Sequence, residues 1–524
     1  MPERLAVDVP VVAGWRRGTL IVSVLLSTLL QVIDTGSLSV ALPQIMGTIG
    51  ATLDEIAWVV TGYLIATGIV IPLSGWLGAR LGRRRYLIGS VAVFTCASAL
   101  SGMAGSLESL VLCRILQGLG GGALIPMTQA ILMELYPGAP GTAMGIYGMA
   151  IMVGPIIGPV LGGWLTDAYS WRWVFFMNVP VGVLALLLLA FFLPESPYRE
   201  PVSRRVDVLG IACLAVGIGA LQTVLSRGHR LSWFESPWIV EMALVAAAGL
   251  AGFVARELTA REPAVDLRIL RERSLGLGSL TSLAHGLASY PSFLIVPLFV
   301  QELFAYTPSQ AGEISLVAAV ATAVSIPITS RLSTRYDTRW TLLAGIGLFW
   351  WSMGALAHLT QDAGYWDLFW MQVIRGLSMA SLFVPLSVAA LAGVERSKVP
   401  AGTGLYNLSR QLGGSAGIAM MATLLDRWKI AARSEMVAHT SAFDPATQER
   451  LRMYSQGLMS RGRDPFTARE EGLRQLEQAI GKQATALAFG DLLRLLVLIM
   501  IVSIPLVACL RPARPRRKVP TQAS

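Results

Sequence analysis

The feature that most constrains this chain is a succession of apolar runs, each long enough to cross a hydrocarbon core and each closed by charged residues or by Gly and Pro. They fall at roughly 18-42, 56-79, 86-105, 107-132, 141-166, 173-193, 206-226, 237-256, 275-301, 309-330, 340-360, 366-393, 401-426 and 488-510, fourteen in all. About 20 helical residues span the ~30 Å core of a bilayer, where only helices or closed barrels satisfy every backbone polar group. With 54% hydrophobic and 14% charged residues and a mean hydropathy of +0.60 over 524 residues, the chain reads as an all-α polytopic membrane protein. A secretory signal is the rival reading of the N-terminus. The first run is longer than a signal's apolar core and contains Asp34, so a retained span is expected.

The formal net charge of +10 is spread in a way that sets orientation. With the N-terminus inside, Arg16 and Arg17, Arg80 and Arg83 to Arg85, Arg199, Arg204 and Arg205, the group from Arg256 to Arg273, Arg331, Arg335 and Arg339, Arg396 and Lys398, and the tail Arg511 to Lys518 are cytoplasmic. The short outer loops then hold only Arg172, Arg227 and Arg230, as the positive-inside rule requires. Both termini are expected in the cytoplasm, and the charge needs no nucleic acid partner. The long outer segment 427-487 escapes the charge rule by its length. Its stretch TAREEGLRQLEQAIGKQATALAFGDLL places Leu473, Leu476, Ile480 and Gln483 on one helical stripe running into the last span, read either as a solvated hairpin or as a docking surface. Cys96, Cys113, Cys213 and Cys509 lie in apolar segments without metal-ligand spacing, so no disulfide, metal site or cofactor is expected.

An internal repeat runs through the spans. LCRILQGLGGG, from Leu112, aligns with WMQVIRGLSMA, from Trp370, so that Arg114 and Gln117 face Gln372 and Arg375 in swapped order. Just downstream, Gly145, Tyr147 and Gly154 align with Gly404, Tyr406 and Gly413. Spans 4 and 5 thus pair with spans 12 and 13, the pattern of two related bundles in a rocking transporter. The expected organisation is a cytoplasmic N-terminus 1-17, a six-helix bundle 18-193, a linker 194-274 carrying two extra transmembrane helices, a second six-helix bundle 275-510 that includes the periplasmic helical loop 427-487, and a basic cytoplasmic tail 511-524.

Polar residues inside apolar spans mark the candidate site. Asp34 stands in QVIDTGSLSV and Arg114 in RILQG, where a permanently charged guanidinium needs a carboxylate, carbonyls or water. GPIIGPVLGG places Gly154, Gly158 and Gly162 every four residues, beside Pro155, Pro159 and Gly163, a small-residue stripe for close helix contact on a helix that prolines shape. GWLGARLGRRRYL offers Gly75 and Gly82 for a tight turn and Arg80 and Arg83 as interfacial cations. For an apolar pocket with a few polar groups the candidates are Gln31, Tyr63, His285, Tyr290, Tyr406 and Asn407.

These motifs, across essentially the whole chain, resemble the fourteen-span drug:proton antiporter branch of the major facilitator superfamily. GWLGARLGRRR is similar to its loop 2-3 signature, RILQGLGGG to its fourth-span motif, GPIIGPVLGG to its antiporter motif, WRWVFFMNVPVG to its sixth-span entry, and VIDTGSLSVALP to its first-span motif. Gly36 and Ser39 depart from the usual Thr and Asn, and Ala79 from the usual Asp of the loop, so the common Asp-centred gating pair cannot form there. The outer segment with HTSAFDP and MYSQGLMSRG resembles the EmrB type. The resemblance implies two six-helix bundles plus two inserted helices and an inner-membrane exporter of hydrophobic or amphiphilic compounds driven by protons. It also implies a periplasmic adaptor and an outer-membrane channel as partners. Asp34 and Arg114 are the expected proton-coupling residues, with Asp34 facing a central cavity, and Thr35, Gln117, Gly118 and Arg375 support them. A single-component metabolite exporter and a proton-coupled importer are the alternatives. An enzyme is not expected, since no His-rich, Cys-rich or Ser/His/Asp grouping occurs.

Overall fold

A computed structural model describes residues 14–136, 138–195, 206–359, 363–440 and 444–510. The expected N-terminal residues 1–13, the cations Arg199, Arg204 and Arg205, residues 441–443 of HTSAFDP and the basic tail 511-524 lie outside the described residues. Among those described the regular structure is helical. The helices are α1 Trp15–Ile49, α2 Leu53–Leu81, α3 Arg83–Met103, α4 Leu107–Gly121, α5 Leu124–Leu135, α6 Pro140–Ala168, α7 Trp173–Phe176, α8 Asn178–Phe192, α9 Val208–Arg227 and α10 Pro237–Thr259. They continue with α11 Arg273–Phe304, α12 Pro308–Arg335, α13 Thr338–Ala357, α14 Tyr365–Leu391, α15 Val399–Ala438, α16 Pro445–Met459, α17 Pro465–Val502 and α18 Ile504–Cys509.

Among the described residues, thirteen helical stretches are long and apolar enough to cross a membrane. The expected thirteenth span, 401-426, falls within α15, which is long enough but too polar to count among them. The reason is packing. Thr403, Asn407 and Arg410 are buried in the protein, so α15 has little need of an apolar surface there.

Helix partnerships repeat. In the first half α1 packs on α6, α2 on α4, and α3 on α4 and α8; in the second, α11 packs on α15, α12 on α14, and α13 on α14 and α17. Across the halves α6 meets α12 and α2 meets α15, while α9 and α10 pack on each other and α9 lies against α2. The α9–α10 connection ties the bundle at one end: Arg227 donates to the Asp54 carbonyl at 2.5 Å and Trp233 Nε1 to Thr423 Oγ1 at 2.8 Å.

At the other end the halves meet directly. Ser330 Oγ donates to the Gly141 carbonyl at 2.6 Å, and Arg83 Nη2 to the Ser397 carbonyl at 3.4 Å. A Cβ built at Gly75 would stand 2.6 Å from Ala401 Cα, so only a glycine lets α2 rest on the start of α15 there.

Among its described residues the segment 427-487 is mostly helical. α15 has 40 residues and α17 has 38, about 60 Å each at 1.5 Å per residue, so both exceed a bilayer core. With α16 they form a projection at the end away from the Gly75–Ala401 contact. The buried stripe of α17 is Ala468, Gly472, Leu476, Ala484 and Ala488. Leu473 and Gln483 of the expected stripe are exposed: the face turned to α16 is set by small residues, with Gly472 against Ser455 and Leu451.

Candidate functional site

Three side chains, from two helices, converge on the carboxylate of α1. Asp34 has no exposed surface. Arg114 of α4 donates from Nη1 to Asp34 Oδ2 at 2.6 Å, and Gln117, one turn on, donates from Nε2 to Oδ1 at 2.8 Å. Asn178, the first residue of α8, donates from Nδ2 to the same Oδ1 at 2.8 Å and to Ser98 Oγ at 3.0 Å. Ser98 Oγ in turn donates a hydrogen bond to the Phe175 carbonyl at 2.9 Å. Arg114 also reaches Gln117 Oε1 at 2.7 Å and the Val59 carbonyl at 3.4 Å, with its guanidinium 4.2 Å from the Tyr63 ring centre. Every contact on Asp34 comes from a donor, and the opposite charge is one of them, which is what a buried carboxylate requires.

The local sequence produces this convergence. Arg114 and Gln117, three residues apart, share a helix face. Gly118 lets α4 lie on α2, since a Cβ there would stand 2.7 Å from the Tyr63 carbonyl; the same approach brings Val59 and Tyr63 to Arg114. The regular helix is interrupted at Met177, between α7 and α8, and Asn178 follows directly.

A glycine contact holds α1 against α6. A Cβ at Gly158 would stand 2.9 Å from Gly36 Cα, and one at Gly162 would stand 2.6 Å from the Ser37 carbonyl. Ser37 Oγ donates to the Gly158 carbonyl at 2.8 Å. The departure at Gly36 is therefore part of the helix crossing, two residues from Asp34. Gly154 faces Val32, and Pro159 lies beside Gly36. Gly163 meets only Val40 at ordinary distance, so it stands outside the close stripe. The side chain of Pro155 lies outside what is described, although α6 runs unbroken through it.

A second polar group lies where the halves meet. Asn407 of α15 donates to Gln129 Oε1 of α5 at 2.7 Å, and Thr403 Oγ1 donates to the Pro126 carbonyl at 3.1 Å. Arg410 Nη2 donates to Asn407 Oδ1 at 2.7 Å, and its guanidinium lies 4.9 Å from the Phe383 ring centre.

The structure thus separates the expected site residues into groups. Gln31 and Tyr63 border Asp34 and Arg114, whereas Asn407 and Tyr406 lie near Arg410 at the seam; Tyr406 shares a hydrogen bond with Ser387 at 3.0 Å. His285 contacts Ser289 at 3.1 Å, and Tyr290 is partly exposed beside Gly414. Thr35 bonds back to the Gln31 carbonyl at 2.9 Å and is exposed, so it adds nothing to the carboxylate. Asp34 does not open onto a central cavity as expected: it is enclosed by the first half's own helices, because Gln117 and Asn178 complete its shell. Arg375 lies apart, donating to the Ser292 carbonyl at 2.7 Å. At the loop, Arg80 lies 5.2 Å from the Trp76 ring centre, Gly82 takes φ 84°, and Arg83 pairs with Glu134 near the end of α5. With Ala79 in place of an acid, Glu134 supplies the carboxylate at this loop.

Asn178, Ser98, Gln129 and Arg410 were not singled out from the sequence. Asn178 is the polar residue of WRWVFFMNVPVG and Arg410 a charge inside a span, which is the signal each carried.

Two bundles with recurring partnerships, a carboxylate–arginine network sealed inside one of them and a polar seam between them form the architecture of a multi-pass membrane protein. The profile of the Major Facilitator Superfamily matches residues 24–417, and the chain belongs to this superfamily and to its EmrB-type multidrug exporters. It is 33% identical over 438 residues to the multidrug export protein EmrB of Escherichia coli K12, covering 82% of this chain and 84% of that protein. It is 32% identical to EmrB of Haemophilus influenzae, covering 84% and 86%, and 29% identical to the fatty acid resistance protein FarB of Neisseria gonorrhoeae, covering 96% and 98%. The fold is similar to that of the proton:xylose symporter XylE, with a TM-score of 0.58 at 15% identity over 93% of this chain and 96% of that one. It is also similar to the human organic anion transporter MFSD10, with a TM-score of 0.59 at 15% identity over 92% and 99%.

Proposed function

We propose that this protein exports hydrophobic and amphiphilic compounds across the inner membrane in exchange for protons, by alternating access, with both termini cytoplasmic. The observation that carries the reading is the Asp34 network: one carboxylate, one guanidinium, and two amides that hold them in register. A proton on Asp34 cancels its charge and leaves Arg114 uncompensated, which favours a rearrangement of α1 against α4. That movement has a route to the seam, because α1 rests on α6 at Gly158 and α6 rests on α12 at Gly141 and Ser330. A proton crossing roughly 150 mV releases about 3.5 kcal/mol, enough to hold a gradient of several hundred-fold.

In this orientation the contacts at Gly75 and Ser330 close the cytoplasmic end. The projection of α15, α16 and α17 then stands in the periplasm, where exposed Ile430, Met453, Phe466 and Leu473 offer an apolar surface to an adaptor leading to an outer-membrane channel. The relatives named for multidrug export support the direction of transport.

Asp34→Asn tests the reading in proteoliposomes. Proton-driven export is expected to vanish while substrate still binds; normal export from well-folded Asp34→Asn protein would overturn it.

A further inference from the structure

Arg410 is a buried charge at the seam that the proton mechanism does not use. It is 6% exposed, and a guanidinium keeps its charge even when buried. Among the described residues no carboxylate pairs with it: the ionisable groups facing it are Tyr147, Tyr290, Tyr406 and His285. Its Nη2 is taken by Asn407, but Nη1 has no acceptor of hydrogen-bonding geometry, although the Tyr147 hydroxyl faces it. That hydroxyl is itself buried, with Arg410 as the polar group it faces. A permanent cation with no carboxylate beside it among the described residues, next to a buried hydroxyl and stacked near rings, is an arrangement that an anion completes.

Its place in the repeat sharpens the point. Tyr147 and Tyr406 are related by the internal repeat, and both lie beside Arg410. The residue related to Arg410 itself is Ile151, so the charge is peculiar to one half. Phe383 stacks on Tyr147, with ring centres 5.9 Å apart, giving an apolar wall next to the guanidinium. The cover over the group is the seam itself. Asn407, which holds Nη2, is bonded across the halves to Gln129, and Thr403 to Pro126. Parting the halves at that end breaks both bonds and bares Arg410 on the side from which an exporter loads.

We propose that Arg410 is the anion-recognition point of the transport site, taking the carboxylate or sulfonate of a monoanionic amphiphile whose apolar body lies along Tyr147, Phe383 and Tyr406. This deepens the export reading and rests on it for the direction of loading. Arg410 donates through Nη1, the Tyr147 hydroxyl donates beside it, and the rings take the apolar part. A cationic amphiphile of the same shape meets a like charge at this point and is disfavoured.

The test uses full-length protein in nanodiscs and three probes of one shape, 1-pyrenebutyrate, 1-pyrenebutanol and 1-pyrenebutylammonium, with binding read by energy transfer from tryptophan. Wild-type protein is expected to bind pyrenebutyrate at least about tenfold more tightly than pyrenebutylammonium, with the alcohol between them. Arg410→Gln is expected to remove that preference while the alcohol still binds, Arg410→Lys to keep part of it, and Tyr147→Phe to weaken pyrenebutyrate alone. Equal binding of the three probes by wild-type protein overturns the proposal whether or not the variants fold, and so does an equal loss of all three in Arg410→Gln. Binding at equilibrium needs no gradient, so the two readings fail separately. Proton-driven export of uncharged Nile red without any charge preference sinks the anion site alone; charge-selective binding without proton-driven export sinks the coupling alone.

Discussion

Arg114 and Arg375 occupy related places in the two halves, each three residues from a glutamine in swapped order, yet the protein surrounds them differently. Arg114 meets Asp34, Gln117 and the Val59 carbonyl. Arg375 meets the Ser292 carbonyl, with the Phe293 ring centre 5.8 Å away, and among the described residues its Nε has no hydrogen-bond partner. Neither amide atom of Gln372 has one among the described residues. A carboxylate on α1 without a counterpart on α11 accounts for the difference. One copy of the repeat holds a compensated charge pair, and the other keeps the cation alone. A duplicated scaffold has thus specialised, with the compensated half carrying the group that a proton can neutralise.

The two halves should differ most when each arginine is deleted. Arg114→Met strands a buried carboxylate and is expected to cost about 3–5 kcal/mol and all transport, whereas Arg375→Met removes an unpaired buried charge and leaves stability unchanged or raised. Thermal unfolding of the two purified variants decides it, and equal losses would erase the distinction between the halves. Gly158→Leu comes next. Forcing a side chain into the α1–α6 crossing is expected to cost about 1–3 kcal/mol and to slow export, while Gly163→Ala, on the open side of the same helix, changes neither. Asn178→Ala removes one donor from Asp34 and is expected to cost about 1–2 kcal/mol. It should also move the pH dependence of export, which a loss of packing alone leaves in place.

The smallest effect belongs to the second half's exposed acids, the opposite case to Asp34. Hydrogen bonds from the Thr447 side chain and backbone hold the Asp444 carboxyl below the usual range, and those from Thr467 do the same for Asp464. Both cap helices of the projection, α16 and α17. A lowered folded-state pKa means that this stabilisation is present above the ordinary Asp range, near 4, and is lost as pH falls through the folded values. Hydrogen exchange in the first turns of α16 and α17 is expected to rise only in strong acid; a rise already at pH 6 contradicts the capping.

Much of the fold was legible because a bilayer imposes length and apolarity on each span, and thirteen of the fourteen expected crossings meet those demands. α15 shows where that legibility ends. Its polar residues belong to a seam between halves, and no periodicity says which partner excuses a polar face from lipid. Asp34 and Arg114 stood out because charges in apolar runs are costly. Asn178 and Gln129 did not, since an amide is conspicuous only once something buried needs its donor or acceptor. Leu473 was placed on the wrong face of α17 because an apolar period cannot show that the neighbouring helix packs through small residues.

Local pattern alone established that the chain crosses a membrane many times, that it is built on a repeat, and that one carboxylate and several arginines sit where lipid forbids them, because polar groups are costly in hydrocarbon. It took the packed helices to reveal that Asp34 is enclosed within the first half, that Gly36 belongs to a helix crossing, and that Arg410 has no counter-charge among the described residues at the seam. Those facts depend on which helices touch, and contacts between residues 80 or more positions apart leave no mark on local pattern.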